Sequence, residues 1–128
     1  MDEDKIQARR REQDEEATRR RASILGLQYL DGREFEETLP LLKGVLTIEE
    51  MYKGRLVPLA FNEEDQSYRF GVTSQTSESL MKKMQSQYVE NGKRIFFFLI
   101  SGSAFRSIML RFDPPKKVIY DNIEIAKE

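Results

Sequence analysis

The chain has 128 residues, enough for one domain and a tail, with 39% hydrophobic and 34% charged residues and a formal net charge of −1. That near-balance argues against a dedicated nucleic-acid binder, which needs a net basic face to release counterions, so no DNA partner is expected. There is no cysteine and no histidine, so Cys/His zinc sites, Ser-His-Asp triads and Cys-His pairs cannot be assembled from this chain, and neither a metal nor a cofactor is expected.

Residues 2–22, DEDKIQARRREQDEEATRRRA, hold seven acids and seven bases. Glu15 with Arg19 and Glu16 with Arg20 have the favourable i,i+4 order for a helix. Ile6, Ala8 and Ala17 are the few apolar residues before Ala22, and they form no stripe. The segment therefore reads as a solvated charged helix or a disordered arm that adds little to folding and serves association. Its candidate partner-binding residues are Arg9, Arg10, Arg11, Glu15, Glu16, Arg19, Arg20 and Arg21. The domain proper is placed at 23–113.

SILGLQYLDG predicts the end of that helix, a break at Gly26 and a short extended run. Phe35, Leu39, Leu42 and Leu46 recur at helical spacing, but Pro40 and Gly44 cut the stretch into short turns. Thr47 and Glu50 form a capping-box pattern for a short helix with Gly54 as its stop.

A hairpin comes next. Val57, Leu59 and Phe61 are expected on one face, with Pro58 marking an edge strand or a bulge, NEEDQ as the turn, and Tyr68, Phe70 and Val72 as the buried side of the second strand. Leu80, Met81, Met84 and Tyr88 lie along one helical face that stops at Asn91-Gly92. Ile95 to Ile100 is apolar throughout, so a central strand covered on both faces is expected; the run is too short to span a bilayer, which takes about 18 residues, and no direct membrane insertion is expected. SGS at 101–103 caps a last helix with Phe105, Ile108, Met109 and Phe112 inward, ended by Asp113-Pro114-Pro115. Residues 114–128, with the alternating run VIYDNIEI, are read as a linker toward a downstream domain. Together these elements give an α+β fold: a small three- to four-stranded mixed sheet with helices packed on it, preceded by a charged N-terminal helix.

Chemistry is sparse. No P-loop exists, since Gln87 stands where the first glycine before Gly92-Lys93 belongs and Arg94 where Ser or Thr belongs. Glu63, Glu64 and Asp65 read as a solvated turn rather than an acid/base pair. SGS, between a strand and a helix, could cradle an anion with backbone amides, but simple capping accounts for it. No enzyme activity is expected from the chain alone.

The order of elements, with ASILGLQYLD, LPLLKGVLTIEEMYKGRLVPLAF and YRFGVTSQTSESLMKKM, resembles the N-terminal domain of the type II secretion and type IV pilus assembly ATPases across residues 22–112. The resemblance implies a cytoplasmic, non-catalytic docking or regulatory domain, peripheral to the inner membrane through a secretion or pilus assembly partner; self-association through the charged segment at 2–22 is a separate expectation. Two alternatives stand beside it. One is a cyclic-dinucleotide sensor of the same kind of motor; ILGLQYLDG echoes such a signature, with Ile24 where an Arg belongs. The other is a nucleic-acid-associated adaptor using the Arg-rich segment.

Overall fold

The structure, a computed structural model, describes residues 3–115. The predicted run at 118–125 and most of the predicted linker lie outside the described residues. The elements in chain order are α1 (Glu3–Leu25), β1 (Gln28–Tyr29), a single 3₁₀ turn (Gly32–Glu34), α2 (Ile48–Gly54), β2 (Leu56–Asn62), β3 (Ser67–Val72), α3 (Glu78–Glu90), β4 (Arg94–Leu99) and α4 (Gly102–Phe112). The four strands form one mixed sheet in the order β1-β4-β3-β2. β4 runs parallel to both β1 and β3, and β2 closes the far edge antiparallel to β3. The fold is α+β.

Parallel neighbours need a crossover, and α3 supplies the one from β3 to β4. Its apolar stripe of Leu80, Met81, Met84 and Tyr88 packs on one face of the sheet, over Phe70, Val72, Ile95 and Leu99. Tyr88 meets Tyr68 and Phe70 edge-on at centroid distances of 5.3 and 5.9 Å, favourable geometry for aromatic pairs. α4 covers the other face, where Ala104, Phe105, Ile108 and Met109 pack with Val57, Leu59, Ile100 and Met51. Alternation along a strand divides the two cores: Leu99 belongs to the first and Ile100 to the second.

The local signals are realised where they are local. Thr47 and Glu50 make both halves of the capping box, and Ser77 and Ser101 cap α3 and α4. Gly26 takes a φ of 71° where the chain turns from α1 into β1. Phe35 to Leu46 holds turns rather than a continued helix, as Pro40 and Gly44 require.

Three expectations are corrected. The register shifts between Pro58 and Ala60, so Phe61 joins Tyr68 (ring centroids 4.6 Å apart) on the α3 side, while Val57 and Leu59 face α4. A bulge adds one residue and moves the residues beyond it to the opposite face. α2 stops at Gly54 as expected, and the left-handed conformation falls on the next residue, Arg55, at φ 56°. β4 is central, but its cover is uneven: Phe96 is 39% exposed and Phe98 half-buried, because α4 reaches only the Ile100 end of that face. Lastly, the boundary expected at Ser23 falls inside α1, which continues unbroken to Leu25 and packs against β1 and α4.

Candidate functional site: a polar latch under the N-terminal helix

α1 has no apolar stripe, yet it is docked. Its inward positions are Arg11, Asp14, Glu15, Thr18 and Ala22, one face at helical spacing on which only Ala22 is apolar. Glu15 is 2% exposed. Its Oε1 accepts from the Tyr29 hydroxyl at 2.5 Å, and its Oε2 accepts from the Ser101 hydroxyl at 2.5 Å and from Arg11 Nε at 2.7 Å. Three charge-assisted bonds to one carboxylate offset the cost of taking it out of water. Each donor comes from a different part of the fold: Arg11 from the same helix, Tyr29 from β1, and Ser101 from the turn between β4 and α4.

Two further contacts extend the latch. Asp14 Oδ2 accepts from the Ser103 backbone N–H at 3.1 Å and its hydroxyl at 2.5 Å. Arg11 reaches on to Glu36 with both terminal nitrogens, at 3.1 and 2.5 Å. Ser101 Oγ accepts from the Ala104 N–H at 3.0 Å, so the hydroxyl that caps α4 also donates to Glu15. Among the described residues no buried side-chain polar atom lacks a partner.

The electrostatics agree with the geometry. Hydrogen bonding to Glu36 raises the Arg11 guanidinium above its ordinary value, the pair with Glu15 adding to it. Burial pushes the Tyr29 hydroxyl up, and its bond to Glu15 holds it neutral. Asp14 and Glu15 both sit at the start of α4, where the helix dipole and free amides favour negative charge. The position at which SGS could have bound an external anion is thus filled by carboxylates of this chain, and capping is the role Ser101 performs.

The eight candidate partner-binding residues separate into two groups. Arg11 and Glu15 turn inward and belong to the latch. Arg9, Arg10, Arg19, Arg20 and Arg21 are exposed, and half-buried Glu16 pairs with Arg19 and, at 3.9 Å, with Arg20. The i,i+4 pair expected between Glu15 and Arg19 is replaced by the one between Arg11 and Glu15. At the end of the same helix Ile24 is 84% and Leu25 51% exposed. The outward side of α1 therefore carries five exposed arginines interspersed with Glu12 and Glu16, and has an apolar end.

Sequence reasoning passed over Asp14, Tyr29, Glu36 and the pairing of Ser101 and Ser103 with carboxylates. The available signal was the spacing of Arg11, Asp14, Glu15, Thr18 and Ala22, hidden because charge at such positions ordinarily means solvent. The NEEDQ turn is exposed, with Asp65 accepting from Ser67 Oγ at 2.6 Å, and the described residues contain no cluster of three or more metal-ligating side chains. Nor does any described helix have the length and apolarity to cross a membrane.

No family model, no curated protein and no solved structure matches the chain.

Proposed function

We propose that this chain is a docking module that acts by binding, and that it serves as the N-terminal docking or regulatory domain of a type II secretion or type IV pilus assembly ATPase. In this reading it recruits the cytoplasmic part of an inner-membrane assembly protein and is peripheral to the membrane only through that partner. The supporting observation is the latch. A helix whose inward side is fixed by buried hydrogen bonds offers its outward side, Arg9, Arg10, Arg19, Arg20 and Arg21, in a set orientation. Pre-ordering spares a partner much of the entropy of ordering a charged arm. Clustered arginines with an apolar end at Ile24 and Leu25 suit an acidic amphipathic surface, with charge steering the encounter. Assignment to secretion or pilus motors rests on the resemblance over residues 22–112.

The test is titration of the full chain against the cytoplasmic domain of a secretion or pilus inner-membrane assembly protein. Arg19→Glu with Arg20→Glu and Arg21→Glu should weaken binding at least tenfold while leaving the melting temperature in place. Unchanged affinity would remove the helix from the interface. Absence of any binding by the unaltered chain, or ATP turnover by the purified chain, would overturn the reading. Saturable binding of cyclic di-GMP would favour the sensor alternative.

A further inference from the structure

A groove runs over the surface from the end of α4 to α3. Its first part, about 460 Å³, begins at Phe112 and passes Val45, Leu46 and Glu50. Its second part, about 680 Å³, shares those last three residues and continues to Leu80, Met84 and Tyr88. The floor is apolar, and Leu56 and Met84 beneath it are 2% and 6% exposed. The rim carries Lys43, Lys53 and Lys83, all exposed, and none makes an ion pair among the described residues. An apolar trough edged by three such lysines and a single acid, Glu50, is suited to an apolar segment that carries a few acids.

We propose that residues 118–125 of this same chain, Val-Ile-Tyr-Asp-Asn-Ile-Glu-Ile, occupy this groove. Three observations point to them. The chain leaves the fold at the groove's mouth: Phe112 lines it, and Asp113 is tied to α2 by a 3.1 Å hydrogen bond from the Tyr52 hydroxyl. The segment is also within reach. Only residues 114–117 intervene, spanning at most about 14 Å when extended, and the groove begins beside the exit. Finally, the chemistry matches, since five of the eight residues are apolar (Val118, Ile119, Tyr120, Ile123, Ile125) and the two charged ones, Asp121 and Glu124, complement the lysine rim. A tether this short holds its segment at an effective concentration in the millimolar range, so an outside ligand would have to displace it. This inference is independent of the docking reading, because no partner protein enters its test.

The chain has no cysteine, so one can be placed at Gln87, an exposed, uncharged residue of the groove, as Gln87→Cys carrying a nitroxide on the full-length protein. The amide signals of residues 118–125 should broaden strongly in the ¹⁵N spectrum and recover when the nitroxide is reduced. Ile123→Asp with Ile125→Asp should abolish the broadening and shift the signals of Leu80 and Tyr88. A 1:1 mixture of spin-labelled unenriched protein with unlabelled ¹⁵N protein should show none. Tail signals that stay sharp in the labelled protein, or broadening that survives the double substitution, would overturn the proposal. Broadening that appears in the mixed sample as well would overturn it in favour of a second copy's tail.

Discussion

α3 and α1 flank the same sheet and are held by opposite means. α3 buries Met84 and lays Leu80, Met81 and Tyr88 over Phe70, Ile95 and Phe97, a contact made of dispersion and the exclusion of water. α1 buries one glutamate and one alanine, and depends on hydrogen bonds from Tyr29 and Ser101 to Glu15, from Ser103 to Asp14, and from Arg11 to Glu36. The two attachments should fail differently. An apolar interface is non-directional and loses stability in proportion to the area removed. A buried polar network is directional, and deleting one member leaves the others desolvated and unpaired.

The largest effect is expected on the α3 side. Phe70 is fully buried and contacts the rings of Tyr68, Tyr88 and Phe97. Phe70→Ala should cost about 4 kcal/mol in urea unfolding, by lost transfer energy and the cavity left behind. A cost under about 1 kcal/mol would mean that α3 is not held by the contact described.

On the α1 side, Glu15→Ala removes a single carboxylate but leaves the Tyr29 and Ser101 hydroxyls and the Arg11 guanidinium facing an empty site. The expected cost is about 3 kcal/mol, comparable with that of a large aromatic, despite the loss of little apolar area. Hydrogen exchange in α1 should accelerate more than in α3. If exchange rises equally in both helices, the latch is not a separate attachment. If neither rate nor stability changes, α1 is the solvated arm that its composition suggests.

A third test addresses the close approach beside the latch. Gly32 is buried where the 3₁₀ turn meets α4, and a Cβ there would lie 2.3 Å from the Ala104 Cβ. Gly32→Ala should therefore cost about 2 kcal/mol by forcing the two elements apart. Gly32→Ala made in an Ala104→Gly background should cost much less, a non-additivity that a double-mutant cycle would read directly.

The smallest effect sharpens the electrostatic side. Burial and the bond to Glu15 raise the Tyr29 hydroxyl above its free value, so at high pH the unfolded chain loses this proton before the folded one does. Stability from Tyr29 is thus fully present below about pH 10, where a free tyrosine ionises, and declines as pH rises beyond it. Tyr29→Phe should cost about 1 kcal/mol at neutral pH and flatten the alkaline limb of the stability profile. An alkaline limb identical in both proteins would show that Tyr29 does not share in the buried network.

Most of what neighbours along the chain carry is legible in their order. The capping box at Thr47 and Glu50, the serine caps of α3 and α4, the break at Gly26, the hairpin, and the inward stripes of α3 and α4 depend on spacings of two to eight residues, over which backbone geometry makes sequence and space equivalent. The direction of Phe61 escaped, because Pro58 announces an edge strand or a bulge without saying where the register shifts. The latch escaped more completely. A glutamate among arginines reads as solvated, since water is the default partner of charge. Only the tertiary structure brings Ser101 and Ser103, more than eighty residues away, to Glu15 and Asp14. The uneven cover of β4, with Phe96 left open, was likewise set by where α4 ends on the sheet and not by the apolar run itself. Burial is a property of the neighbours a residue acquires on folding, and for a charged side chain those neighbours decide whether it faces solvent or fastens a helix to the core.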